Sequence, residues 1–335
     1  DGRWLTMADA RAISPDFDLT RSWEIDDIPV KPGDESFEDY LRRINFTDEQ
    51  LQYVRRSFAN AEGDDMRFLS AESIISAFND FEHEPGAGDF RILDGYDAIY
   101  THLATDLDIR LNCKITSIEW GENGVTITAA DGTVFTGDTA IITLPVGVLK
   151  ANHVTFTPEL PAIKEEALSG MAMGPIIKLV YEFAAPLMDR KIGAIYSKHN
   201  PPMWWSPSLG RDENTIVWTA FITGDYAREM DALDEAAALE KGLETLRTEL
   251  NQPDLNYKQA RWINWIRDEF ALGGYSHCRV GHADVREKLA TPTPPLYWAG
   301  EATAPHVMMA TIHGAYFTGE RAAHEILNQG DADDT

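Results

Sequence analysis

Only two cysteines, Cys113 and Cys278, occur in 335 residues, and neither sits in a CxxC or a Cys/His ligand spacing. That excludes a disulfide framework and a structural zinc site, and it fits a reducing, cytoplasmic compartment. Basic residues are also scarce: 29 Lys and Arg stand against 55 Asp and Glu, a formal charge of -26. Such a chain repels nucleic acid and anionic membrane and attracts cationic small molecules, although an acidic surface also serves solubility alone. No apolar run approaches the length of a membrane span, and the start, "DGRWLTMADA", has no basic-then-apolar signal. It also lacks an initiator Met, so the native N-terminus is expected to lie upstream of Asp1.

What is present reads as mixed α and β. In "SFEDYLRRINFTDEQLQYVRRSF" the apolar Phe37, Tyr40, Leu41 and Ile44 recur at helical spacing, and Thr47 with Gln50 forms a capping-box pattern before Leu51, Val54 and Phe58. "HEPGAGDF" then breaks the pattern with Pro and Gly. From residue 108 to 145 strand signals take over in "DIRLNCKITSIEW", "GVTITAA", "VFTGD" and "TAIITLP", with Asn123-Gly124 and Asp131-Gly132 as hairpin turns. "PIIKLVYEF" and "NTIVWTAFI" read as strands flanking a Pro-rich loop around Trp204 and Trp205. "DEAAALEKGLETLRTEL" reads as a helix with Asp234 as N-cap and Leu239, Leu243, Leu246 and Leu250 on one face. The acidic end, "GDADDT", reads as a disordered tail.

Near the C-terminus, "LYWAGEATAPHVMMATIHGAYFTGERAAHEIL" returns to strand character, turns through Gly300, Glu301 and Pro305, and enters a helix near Thr311. A helix start leaves backbone N–H groups free and partially positive, which suits an anion or an electron-rich ring oxygen. Gly314, Ala315, Gly319, Ala322 and Ala323 leave the helix without bulk, so a flat ring or another helix can approach it. Glu301, at the end of an apolar strand, needs a hydrogen-bond partner, and ribose-type hydroxyls are good ones. The plainer alternative is that Glu301 caps the following turn and the small residues only pack helix on sheet.

With "AGEAT" and "ATIHGAYFTGERAA" the chain resembles the flavin-containing amine oxidases, in the branch of polyamine oxidases and histone lysine demethylases. "GYDAIYTHLATDLDIRLNCKITSIEW", "ITLPVGVLKANHVTFTPELP" and "GPIIKLVYEF" carry the same resemblance, and "WIRDEFALGGYSH" carries it less tightly. The resemblance implies an FAD-linked amine oxidase fold of α/β type, with an incomplete FAD-binding domain interleaved with a substrate domain of mixed sheet plus helices. It divides the chain into substrate-domain helices (1–90), part of the FAD-binding domain (91–150), a substrate domain (151–285), the FAD-binding C-terminal strand and helix (286–330) and a tail (331–335).

By the same resemblance Glu301, after Gly300, would bind the ribityl chain, and backbone at Thr311 and Ile312 would face the pyrimidine end of the ring. Ile115 falls where the family's backbone meets adenine, and Leu144 and Pro145 where it passes the cofactor. Lys178, inside an apolar run, would hold a water against flavin N5 and stabilise superoxide-like charge during reoxidation by oxygen; a snorkelling lysine on an open sheet face is the plainer reading. Tyr275 would stack beside the substrate nitrogen. A second tyrosine faces it in monoamine oxidases, where this chain has Thr311, so the aromatic sandwich is incomplete. Gly274 stands where those enzymes carry the flavin-bonding cysteine, which implies noncovalent FAD. Trp265, on the cofactor side, and Phe270, on the substrate side, would wall the site, with ordinary core packing as the alternative.

The implied reaction moves a hydride from the α-carbon of a small-molecule amine to the flavin; the imine hydrolyses and oxygen becomes peroxide. No side-chain base is required, and His313 reads as a helix residue. A family member should open with a strand, GxGxxG and a ribose-binding acid, and nothing in residues 1–90 matches; Gly86 and Gly88 follow a Pro and open no helix. A preceding N-terminal segment or a complementary FAD-binding subunit is therefore expected as partner. The alternatives are a non-catalytic chain and an L-amino-acid oxidase, which would place Arg267 or Arg261 against a substrate carboxylate. No long helical hairpin of the demethylase kind is present.

Overall fold

Two capped helices begin the part of the chain that the structure, a computed structural model, describes: residues 28–81, 92, 95–189, 192–209 and 216–332. The stretches "DGRWLT" and "HEPGAGDF", with Gly86 and Gly88, lie outside those residues. Helix α1 (Phe37–Arg43) is capped by Ser36, whose hydroxyl accepts from the Asp39 N–H, and buries Phe37, Tyr40 and Leu41. Helix α2 (Asp48–Arg56) carries the expected capping box, with Thr47 and Gln50 bonding each other's backbone. With α3 (Phe58–Ala61) and α4 (Ala71–Phe81) these helices enclose their own core of Phe37, Leu41, Leu51, Val54 and Ile74.

After α5 (Asp97–Leu103), an antiparallel meander of β1 (Ile115–Gly121), β2 (Gly124–Ala129) and β3 (Val134–Gly137) turns at Gly124, whose φ is +96°. A side chain at Gly124 would place its Cβ 2.4 Å from the Gly137 carbonyl oxygen, so the hairpin admits only glycine there. Residues 108–112, read as strand, form none: Leu111 is 81% exposed and Ile109 54%, and no neighbouring strand pairs with them. Strand β4 (Ala140–Ile142) leads through α6 (Val146–Lys150) to β5 (Thr155–Thr157), which joins β1 in parallel. Helix α7 (Ala162–Gly170) and β6 (Met171–Met173) follow. Val154, Ala167 and Met171 pack with Ile118, Val146 and Trp298 in one cluster, so the packing crosses the divide read at residue 150.

A five-stranded sheet holds the other core. Its order is β11 (Gln259–Asn264), β7 (Ile176–Phe183), β10 (Ile216–Thr223), β9 (Met203–Trp205) and β8 (Ala194–Tyr196). Trp204 and Trp205, read as loop, lie in β9 because both faces are used: Trp204 pairs with Ala220 and is fully buried, while Trp205 turns to the opposite face beside Phe221. Behind the buried face run α8 (Gly224–Asp231) and α9 (Glu235–Leu250), whose N-cap Asp234 accepts from the Ala237 N–H and whose Leu239, Leu243 and Leu246 are buried.

The chain returns through β12 (Ser276–Cys278), paired with β6, then α10 (Val285–Ala290), β13 (Leu296–Trp298) and α11 (Ile312–Ala332). Helix α11 continues to Ala332, inside the expected tail, since each added residue propagates an existing ladder; residues 333–335 lie outside the described part. No described helix is long and apolar enough to cross a membrane.

Lys164 locks α7 to α10. Its fully buried ammonium donates to the carbonyls of Lys288, Leu289 and Thr291 and lies 4.5 Å from the Trp298 ring. Lys164→Met should leave those carbonyls unpaired and cost about 3 kcal/mol, read as a lowered midpoint in urea unfolding.

Candidate active site

Strands β4 and β13 run parallel with Ile142 opposite Trp298, so Thr143–Pro145 and Ala299–Glu301 emerge side by side at one edge. Gly300 makes its turn with φ +112°, a conformation L side chains rarely adopt. Between the two exits lies a cavity of about 150 Å³ whose walls include Leu144, Pro145, Gly274, Gly300 and Glu301. Crevices outside the carboxyl ends of parallel strands are where open α/β sheets bind ligands.

The Glu301 carboxylate, 25% exposed, is held from behind. Ser276 donates its N–H to Oε1 at 3.0 Å and its hydroxyl to Oε2 at 2.9 Å. The buried Arg286 guanidinium donates to the main-chain carbonyls of Glu301 (3.1 Å) and Ser276 (2.9 Å). Glu301 is thus partnered inside the protein, and its carboxylate does not cap the turn that follows. A carboxylate offers about four acceptor positions, so two remain.

At the start of α11, Thr311 is the N-cap: its hydroxyl accepts from the Gly314 N–H at 3.0 Å and donates to the Met308 carbonyl at 2.7 Å. Ile312, 45% exposed, and His313 follow with N–H groups that have no acceptor within the helix. A Cβ at Gly314 would stand 2.1 Å from the Met308 oxygen, which fixes glycine at that position. The loop is anchored to α4 by Ser73 Oγ, 2.9 Å from His306 Nδ1.

Tyr275, one residue before Ser276, turns toward the helical core: its hydroxyl donates to the Ala61 carbonyl, and its ring covers Gly63, where a Cβ would meet Cε2 at 2.7 Å. Burial, with Glu62 and Glu301 nearby, raises the phenol well above its ordinary range, so it stays neutral. Glu62 itself is pushed up to about 7 by burial, partly opposed by Arg286. Asn60 fixes this segment to the large sheet, donating to the Phe221 carbonyl (3.0 Å) and accepting from the Thr223 N–H (3.0 Å).

On the sheet face opposite α9, a cross-strand row runs Tyr196, Met203, Phe221, Lys178, Ile263 over all five strands. Lys178 Nζ lies 5.5 Å from the Trp205 ring and 5.8 Å from the Phe221 ring, with no ion pair among the described residues. Burial lowers its pKa.

Of the residues singled out from sequence, Leu144, Pro145, Gly300 and Glu301 share the cleft, Tyr275 adjoins it through Ser276, and partly buried Ile115 packs in the cluster that includes Leu144. Thr311 and Ile312 form the helix start, and Lys178 lies on the sheet. Trp265, on a 3₁₀ turn (Trp265–Arg267), and Phe270, 56% exposed beside Lys114, line no part of that cleft. Arg267 is engaged by Asp231 at 2.7 Å, and Arg261 is exposed on edge strand β11. Glu62, Ser276 and Arg286 escaped sequence reading, because each acquires its role from partners distant in the chain.

A family profile described as flavin containing amine oxidoreductase matches residues 9–327. The chain belongs to this family. Polyamine oxidase 4 of Oryza sativa subsp. japonica is 34% identical over 250 residues, 73% of this chain and 50% of that protein. Lysine-specific histone demethylase 1 homolog 2 of the same plant is 30% identical over 295 residues, 85% of this chain and 38% of that protein. The chain thus spans about half the length, or less, of the curated relatives it matches. Among solved structures, putrescine oxidase bound to putrescine aligns with a TM-score of 0.79 at 17% identity, covering 98% of this chain and 78% of that one. Cyclohexylamine oxidase from Brevibacterium oxydans aligns with a TM-score of 0.79 at 16% identity, covering 95% and 75%. The amine oxidase fold expected from the sequence is therefore present.

Glu62 gives the site a pH signature. Its folded pKa, about 7, lies above the ordinary 4.5, so the folded protein binds the extra proton between those values and loses stability as pH rises through that window. Glu62→Gln has no such group. Thermal unfolding should show the wild type falling relative to Glu62→Gln from pH 5 to pH 8; a constant difference would refute the raised pKa.

Proposed function

We propose that this chain forms the ring and ribityl half of an FAD site together with the amine-facing wall of a polyamine-type oxidase. The carrying observation is the cleft where Leu144, Pro145, Gly300 and a half-satisfied Glu301 meet, one residue from the Tyr275 wall. The residues suit that end of a flavin. Leu144 and Pro145 offer apolar surface to a flat ring, Glu301 offers spare acceptor positions to hydroxyls, and the α11 start offers N–H groups to ring oxygens. Gly274 brings no sulfur to the cleft, and a Cβ there would lie 2.3 Å from Ile176 Cδ1, which supports noncovalent binding.

When bound, the flavin would take a hydride from the amine α-carbon and pass the electrons to oxygen, yielding peroxide and an imine that hydrolyses. The chain's own residues select and orient the amine. Glu62, ionised above about pH 7, attracts an ammonium group, and neutral Tyr275 presents its ring beside it. Lys178, held by two aromatic rings and without a carboxylate partner among the described residues, keeps a cation on the sheet face that would assist reoxidation. Neither Arg267, engaged by Asp231, nor Arg261, on edge strand β11, lines the cleft to receive a substrate carboxylate, which favours amines over amino acids.

The diphosphate end needs protein beyond these residues: among the described ones, no glycine-rich turn joins a strand to a helix for it. Tyr96, Tyr100, Leu103, Leu107, Ile109 and Leu111, each 45% exposed or more, offer an apolar flank on which a preceding segment or a separate FAD-binding subunit would sit.

Two measurements test this reading. Purified chain mixed with FAD should give a perturbed flavin band near ~450 nm and release peroxide with spermidine or spermine; turnover of L-amino acids without turnover of polyamines would overturn the substrate class. In stopped flow, Lys178→Met should slow flavin reoxidation about 100-fold while slowing reduction far less; equal slowing would refute the role given to Lys178.

A further inference from the structure

Glu301 is the one carboxylate among the described residues that line the cleft, and a carboxylate on a rotatable stem selects a ligand only if its oxygens are held still. Ser276 holds it directly, and Arg286 fixes the main chain on either side. Ser276 spans both oxygens, N–H to Oε1 and hydroxyl to Oε2, which fixes the carboxylate plane and leaves one acceptor position on each oxygen. Arg286, 2% exposed, donates to the carbonyls of Ser276 and of Glu301, so the two main chains that must stay in register are tied by one planar guanidinium. Its closest approach to the Glu301 carboxylate is 3.9 Å, too long for a hydrogen bond, so it does not compete for the remaining acceptor positions. Carboxylates buried for packing alone are satisfied on all sides; this one is satisfied only behind and is open at the cavity.

We propose that Ser276 and Arg286 are positioning residues: Ser276 aims the Glu301 carboxylate into the cleft, and Arg286 keeps Ser276 and Glu301 at the spacing this requires. The proposal rests on the flavin reading for its ligand. Since Ser276 directly follows Tyr275, the same pair also sets the distance between the amine-facing wall and the cofactor-facing acid.

The probes are riboflavin, which needs only the ring and ribityl end, and FAD, followed by quenching of flavin fluorescence. Ser276→Ala should weaken riboflavin binding about tenfold, Ser276→Thr should restore it to within about threefold, and Arg286→Lys, which keeps the charge but not the fork, should weaken it about tenfold. The unfolding midpoint should fall by no more than one lost hydrogen bond accounts for in Ser276→Ala and recover in Ser276→Thr. A flavin-free readout accompanies these: amide hydrogen exchange at position 276, whose N–H the held carboxylate protects, should quicken about tenfold in Ser276→Ala and recover in Ser276→Thr. Wild-type chain that binds neither riboflavin nor FAD would sink the flavin reading, and the positioning would then stand or fall on amide exchange alone. Unchanged exchange in Ser276→Ala, or equal loss of affinity in Ser276→Ala and Ser276→Thr, overturns the role of Ser276; wild-type riboflavin affinity in Arg286→Lys overturns that of Arg286.

Discussion

The parallel pairing of three residues, Ala140–Ile142 on Leu296–Trp298, is the constraint on which the candidate site depends. It joins chain segments some 150 residues apart and makes them end together, so that one exit supplies Leu144 and Pro145 and the other Gly300 and Glu301. An antiparallel pairing of the same strands would send those exits to opposite edges and leave no cleft. Parallel pairs are covered on both faces, and β13 obeys this: Leu296 and Trp298 pack toward the meander and α10 side, Tyr297 toward α11. Lys164 and Arg286 then secure the two ends of α10 against this pair.

The segment behind Tyr275 is held by a second device. Asp64 and Asp65, both nearly buried, are neutralised by Arg228 and Arg55, and Asp225 joins Arg67 to Arg228. The aspartates of the first two pairs are buried while the arginines are 28–44% exposed, so solvent screens the attraction and the network acts chiefly by fixing the geometry of the 60–65 segment against the large sheet. Asn60 fixes the same segment from the other side. Glu62 lies between these anchors and is held close enough to Tyr275 to add to burial in raising its phenol.

Local signals in the sequence were legible where they were self-contained. The Thr47/Gln50 capping box, the Asp234 cap, the Asn123-Gly124 hairpin and the terminal strand-to-helix turn each involve residues within a few positions of one another. The cleft residues Leu144, Pro145, Gly300 and Glu301 were legible through family motifs, since spacing alone cannot reveal that two distant turns adjoin. Ser276 and Arg286 carry no motif: a serine between a tyrosine and a histidine and an arginine inside a short helix are ordinary until the parallel strands bring Glu301 to them. "DIRLN" failed for the opposite reason. Its composition is that of a strand, but strand formation needs a neighbour, and within the described residues none is present.

The bare flank from Tyr96 to Leu111 has a colloidal consequence. Apolar side chains left open in this way attract their like on other molecules, and what opposes this at neutral pH is the repulsion of a net charge of -26. That repulsion acts over about 8 Å at physiological ionic strength and disappears where the charge vanishes, near pH 4.6. The acidic surface thus opposes self-association through this flank, and high salt or mild acid weakens that opposition.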